Sequence, residues 1–200
     1  MENYQGIKFY TQRQASDFAY DDRLAQLNYW AYIFGEMGLA PVHSQGAYGN
    51  HSYREQEDAF VITSTGMIPG NALRSSNYCL VRYQPADDLF HIHGRREPSS
   101  ESFLHLFIYQ CFPEIQSVMH GHSTLLNSYA GELGLAVTAE ECPYGTRELA
   151  RAAVDVFAQG HEFIILKNHG FVAIGDSIRQ TGCRVLHHYR QLVERLADIS

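Results

Sequence analysis

IQSVMHGHSTLLNSYAGELGLAVTAEECPYGTRELARAAVDVFAQGHEFIILKNHGFVAIG, residues 115–175, is the stretch that decides the fold. IQSVMHGH (115–122) reads as a strand, STLLNSYAGELG (123–134) as a helix and LAVTAE (135–140) as a short strand. TRELARAAVDVFAQG (146–160) is a second helix closed by Gly160, and HEFIILKNHGFVAIG (161–175) is a β-rich hairpin turning near Asn168 to Gly170. Strands and helices therefore alternate without a long linker.

Outward from this stretch the pattern continues. SIRQTGCRVLHHYRQLVERLADIS (177–200) is a terminal helix carrying Val185, Leu186, Tyr189, Leu192, Val193 and Leu196 on one side. Upstream, SSESFLHLFIYQCF (99–112) begins with serines before a glutamate and repeats apolar residues at Phe103, Leu104, Phe107, Ile108 and Cys111, the pattern of a capped helix. YCLVRYQ (78–84) and DLFHIHG (88–94) form a strand pair across PADD, and AYGNHSYR (47–54) and AFVITSTG (59–66) another across EQED. Residues 17–38 form a first amphipathic helix, with Leu24, Leu27, Trp30, Ala31, Phe34 and Met37 at helical spacing and Asp17 or Asp21 as cap. Hairpins with helices between them predict an α+β fold: a three-layer α/β/α arrangement around a largely antiparallel central sheet.

Composition bounds the function. At 200 residues with 45% apolar and 18% charged residues, the chain predicts a single domain over 1–200 with its own core. A net charge of −7 supplies no basic patch for nucleic acid. No apolar run has the length of a membrane span and the N-terminus has no export signal, so the expected place is the cytoplasm. Cys79, Cys111, Cys142 and Cys183 lie far apart with no CxxC, the pattern of neither a disulfide framework nor a zinc knuckle. Histidine, with 11 copies, is the metal-ligand type in supply.

In MHGHST, His120 and His122 stand one residue apart at the end of a strand, and the period of two sends both imidazoles to one face, where they can chelate one ion. Spacing alone leaves a pair of ordinary surface or core histidines open as well. A third ligand would complete a site with an open coordination position, and His169, at the tip of the later hairpin with Gly170 allowing a tight turn, is the candidate. His91 and His93 repeat the spacing, but acidic residues precede them, RRE follows and no helix starts after them, which reads as a solvated strand end. His187 and His188 face different directions on a helix. Glu101 follows Ser99 and Ser100 at a helix start, where an anion or a capping cluster are both consistent readings. The Gly-containing turns at Gly49–Asn50 and Thr65–Gly66 can add donors to the same anion.

Taken in order, GNHSYR (49–54), ITSTGM (62–67), PSSES (98–102), HGHS (120–123), PYGTREL (143–149) and LKNHG (166–170) resemble the class II aldolase/adducin family, typified by fuculose-phosphate aldolase. The resemblance runs from about Phe34 to about His187 and implies one such domain with the family's fold. It implies that His120, His122 and His169 bind one zinc ion per chain, that Glu101 is the acid/base and also approaches the metal, and that Asn50, Thr65, Gly66, Ser99 and Ser100 receive a substrate phosphate. The implied reaction is retro-aldol cleavage of a small, phosphorylated ketose through a metal-stabilised enediolate, in a homotetramer with active sites near subunit boundaries. Two positions depart from the family's aldolases. Where these have a tyrosine after the second helix, this chain reads Ala139, Glu140, Glu141; where they carry a C-terminal tail with a further tyrosine, it stops at Ser200. Glu141 falls where the related methylthioribulose-phosphate dehydratases have a catalytic glutamate, and it is also readable as part of a solvated acidic turn before Pro143. Dehydratase, epimerase and decarboxylase activities, or a non-catalytic adducin-like interaction domain, are the alternatives, and retained Glu101 counts against the 4-epimerases, which carry aspartate there.

Overall fold

A computed structural model describes residues 6–43 and 46–198. The ends of the 1–200 span and two residues of the loop before Gly46 lie outside the described residues. The elements run β1 (Tyr10–Ala15), α1 (Asp22–Glu36), β2 (Val42–His43), β3 (Gly46–Ala47), β4 (Gly49–Gln56), β5 (Ala59–Thr63), β6 (Tyr78–Gln84), β7 (Leu89–His93), α2 (Ser102–Cys111), β8 (Ser117–Gly121), α3 (Thr124–Ser128), β9 (Ala136–Val137), α4 (Arg147–Phe157), β10 (Phe163–Leu166), β11 (Gly170–Gly175) and α5 (Ile178–Ala197). Nine strands form one sheet in the order β1-β7-β6-β5-β4-β8-β11-β10-β9, antiparallel except for the parallel edge pairs β1/β7 and β9/β10. The fold is the α+β arrangement expected. None of the described helices is long and apolar enough to cross a membrane.

Period-two alternation sorts the sheet's residues into two cores. Phe60, Ile62, Val118, Ile164, Leu166, Val172 and Ile174 face α2 and α4, whereas Val61, Met119, Phe163, Ile165, Phe171 and Ala173 face α1, α3 and α5. Strands buried on both faces, such as FIIL of β10, carry continuous apolar runs for this reason.

Three differences from the sequence reading have physical causes. α1 starts at Asp22 because Asp21 caps it, accepting from Arg23 N at 2.9 Å. The helix expected over 123–134 is helical only to Ser128; 129–134 continues as turns, ending where Gly134 takes φ 63°. β1 went unread because YTQRQA is polar and mostly exposed, and its parallel partner lies far along the chain.

Gly182 on α5 meets α1 so closely that a Cβ there would lie 2.3 Å from two ring atoms of Trp30. Gly182→Ala is expected to cost about 1–3 kcal/mol through overpacking, more than the small gain in helix propensity returns. Denaturant unfolding checks this; an unchanged midpoint would show that the helices separate freely.

Candidate metal centre

β8 is an interior strand, antiparallel to β4 on one side and β11 on the other, and its end delivers two imidazoles to one place. Asn50 pairs with His120, and Gly49 and Phe171 both face Gly121. A Cβ on Gly121 would lie 2.4 Å from Leu39 O and 2.6 Å from the Phe171 ring, so only glycine lets the chain pass between the histidines. The β10–β11 hairpin brings His169. Its turn uses Asn168 at φ 57°, a left-handed position that asparagine tolerates, rather than Gly170 as the sequence suggested. Gly170 is required instead for close approach: a Cβ there would lie 2.3 Å from Gly121 O and 3.0 Å from His120 Cε1.

Glu101 arrives from a segment stitched to the end of β5, through Ser99 N to Thr63 O (3.0 Å) and Thr65 N to Glu97 O (2.9 Å). Ser99 and Ser100 do not cap α2; Glu101 occupies the cap position, Ser99 Oγ accepts from Glu101 N at 3.3 Å, and the glutamate side chain turns to the histidines. Arg54 fixes the other end of α2 by donating to the carbonyls of Tyr109, Phe112 and Ile115.

The result is a cluster of Glu101, His120, His122 and His169 with one ligand atom of each within 4.8 Å of the others, the single such group among the described residues. Glu101 Oε2 lies 3.0 Å from His120 Nε2, Oε1 lies 3.0 Å from His169 Nε2, and the Nε2 atoms of His120 and His122 are 3.0 Å apart. His120 Nδ1 donates to Phe171 O at 2.8 Å, so a neutral His120 turns a bare Nε2 toward both the carboxylate and His122. Lone pairs at these separations repel unless positive charge lies among them. Three imidazole nitrogens and a carboxylate oxygen are the donor set that suits zinc, and the backbone bond at Nδ1 is the outer support typical of a histidine ligand.

Burial alone would raise the Glu101 carboxyl, but positive charge among the His120 and His169 rings, each 3.0 Å from one of its oxygens, outweighs it and holds the group well below the ordinary carboxylate range. Burial, reinforced by the neighbouring histidines, pushes His122 down to about 2, which leaves it the neutral form that a metal binds. Tyr48 stacks on His122 with ring centroids 5.4 Å apart and an interplanar angle of 21°.

A cavity of about 840 Å³ opens over the cluster. Asn50, Thr65, Gly66, Ser99, Ser100, Glu101, His122 and His169 all line it; His120 lies beneath, with no exposed surface. Asn50 differs from expectation in one respect. Its Nδ2 donates to Glu101 Oε2 at 2.7 Å and its Oδ1 accepts from His105 Nε2 at 2.6 Å, so its amide serves the cluster first. Glu141 is not brought into the cavity wall; it is exposed and its Oε2 accepts from Asn168 Nδ2 at 2.8 Å. His91 and His93 sit on β7 on the far part of the sheet, with His91 Nδ1 bonded to Gln14. The residues that sequence reasoning missed are His105, Ser52, Tyr109 and Tyr48.

Residues 31–189, most of the chain, match the model of the class II aldolase and adducin N-terminal domain. The chain belongs to this family. It is similar to an L-fuculose phosphate aldolase of Methanococcus vannielii, at 30% identity over 149 residues, covering 68% of this chain and 76% of the relative. It is also similar to a methylthioribulose-1-phosphate dehydratase of Yersinia pestis, at 36% identity over 89 residues, covering 44% of this chain and 36% of that one. A sugar-phosphate aldolase from Thermotoga maritima shares the fold with a TM-score of 0.71 and 21% identity, covering 88% of this chain and 95% of that chain. Class II aldolases are metal-dependent, and the cluster lies inside the matched span.

Two further histidines near the cluster set an acid limit on stability. Burial, with a contribution from His120, holds His51 and His105 neutral down to about 3, against 6.5 for the free group. Below pH 6.5 the unfolded chain gains protons that the folded one refuses, so this stability is complete above 6.5 and is lost as pH falls toward 3. Each histidine contributes a slope of about 1.4 kcal/mol per pH unit within that window. Denaturant midpoints of metal-free protein at pH 7, 6 and 5 should fall progressively; a flat profile would mean that both rings protonate inside the fold.

Proposed function

We propose that this protein is a zinc-dependent lyase that cleaves a small phosphorylated ketose or related sugar by a retro-aldol reaction. The observation that carries the reading is the convergence of Glu101 with three imidazole Nε2 atoms beneath a cavity of ligand size. His120, His122 and His169 would hold the zinc. The chemistry it supplies when bound is Lewis acidity toward a substrate carbonyl.

The rest falls to the chain's own side chains. Glu101, ionised and 4% exposed, moves the proton on its carboxylate oxygens. Thr65, Gly66, Ser99 and Ser100, with the remaining N–H of Asn50, line the cavity and take the phosphate; in a chain of net charge −7 an anion needs such a local set of donors. Tyr48, stacked on His122, shields one side from water. A dehydratase reading would give Glu141 the second proton transfer; what supports it is the bond of Glu141 to Asn168, which lines the cavity with His169.

The test is a panel of phosphorylated ketoses and sugar acids incubated with zinc-loaded protein and followed by mass spectrometry. Two carbon fragments from one ketose phosphate, abolished by chelation, are expected. Loss of water without chain cleavage would replace the aldolase by a dehydratase, and no zinc-dependent turnover at all would defeat the reading.

A further inference from the structure

Glu101, His105 and Tyr109 recur every four residues and so share one face of α2, with Asn50 and Ser52 opposite them on one face of β4. All five side chains are buried. They form one continuous line of contacts: Tyr109 OH to Ser52 Oγ 2.7 Å, Ser52 Oγ to His105 Nδ1 2.6 Å, His105 Nε2 to Asn50 Oδ1 2.6 Å, and Asn50 Nδ2 to Glu101 Oε2 2.7 Å.

The direction of every bond follows from one end. Asn50 presents Nδ2 to Glu101 Oε2 and hence its oxygen to His105, and an amide oxygen only accepts. His105 Nε2 therefore carries the hydrogen. The other nitrogen of a neutral ring then accepts from the Ser52 hydroxyl, whose oxygen in turn accepts from Tyr109. Burial agrees at both points, holding His105 neutral and keeping the Tyr109 phenol protonated. Four donors thus point the same way toward one negative charge, an arrangement in which each bond polarises the next.

We propose that His105 is a positioning residue that acts through Asn50 to hold the Glu101 carboxylate in the orientation the metal site needs, with Ser52 and Tyr109 fixing the His105 tautomer. The role of Glu101 rests on the function proposed above; the donor chain rests on geometry. Packing alone would ask only for a buried ring at position 105. Positioning asks for a donor toward Asn50 and an acceptor toward Ser52.

Two measurements on the full chain test this, with Co²⁺ as the metal probe. Nitrogen-15 histidine spectra of the metal-free protein should show His105 as the Nε2–H tautomer; the Nδ1–H tautomer would overturn the chain. In Co²⁺ titrations, His105→Leu should weaken binding by about 10- to 100-fold, the usual effect of losing an outer partner of a ligand, and shift the visible bands. His105→Gln, which can still donate to Asn50, should restore both. A folded His105→Leu with wild-type affinity and bands, or a His105→Gln as impaired as His105→Leu, would overturn the proposal. Should His105→Leu not fold, Tyr109→Phe removes one hydroxyl and keeps the ring against Phe60 at 5.3 Å; shifted bands support the chain and unshifted bands overturn it. If the wild-type protein binds no Co²⁺, the zinc-lyase reading fails, and the nitrogen tautomer alone decides the chain.

Discussion

Glu101→Gln is expected to lower turnover of the substrate by about 10²- to 10⁴-fold, the range a positioned general acid/base contributes. The substitution keeps the length of the side chain and an oxygen able to accept from Asn50 Nδ2, now 2.7 Å from Glu101 Oε2. It removes the charge that the surroundings hold on Glu101 far below the usual carboxylate range. Circular dichroism should show an intact fold, and the three imidazoles should retain zinc. Glu141→Gln is the internal comparison: Glu141 is exposed, is not part of the cavity wall and is bonded to the lining residue Asn168, so this variant should lose far less. A larger loss for Glu141→Gln would move the proton transfer to the rim and favour the dehydratase reading, and two variants at wild-type rate would remove both carboxylates from the mechanism.

The second large effect concerns the ligands. His122→Ala and His169→Ala each remove one of three imidazoles, and zinc affinity should fall by well beyond the 10- to 100-fold typical of an outer partner. Zinc that binds only the folded state at about 1,000 times its dissociation constant adds about 4 kcal/mol, roughly 10 °C in Tm for a chain of this size. That rise should appear on adding zinc to stripped wild-type protein and vanish in both variants. His91→Ala/His93→Ala, on β7, should keep it. An unchanged rise in His122→Ala would place the metal elsewhere.

How much of this was legible depended on whether a residue's meaning is local. The antiparallel sheet was readable because each hairpin writes its own alternation and turn. β1 was not, since its six residues are polar and pair with a strand more than seventy residues away. His120 and His122 were readable as a pair from the period of two, yet His91 and His93 have the same period. What separates them is position in the sheet: β8 lies inside, between β4 and β11, while β7 lies next to the edge strand. The order of six motifs supplied that distinction where spacing did not.

Helix α2 shows the opposite loss. Its apolar residues drew the reading to Phe103, Leu104, Phe107, Ile108 and Cys111, and the polar stripe Glu101, His105, Tyr109 passed unnoticed on the same helix. A glutamate, a histidine and a tyrosine four residues apart in an apolar helix were the signal available. Buried polar groups need partners, and a stripe of them implies a matching stripe opposite, here Asn50 and Ser52. Asn50 was readable as part of the site through GNHSYR, but its bond to Glu101 depends on β4 and α2 meeting face to face, which no local pattern contains. Gly170 was read as allowing the turn, whereas what requires glycine there is Gly121 O, which belongs to another strand.

The most direct measurement is anomalous X-ray scattering at the zinc edge from crystals of the stripped protein soaked in zinc. One peak per chain is expected, bounded by the Nε2 atoms of His120, His122 and His169 with Glu101 alongside. A peak at His91 and His93 instead, or none at the cluster in zinc-soaked crystals, would contradict it.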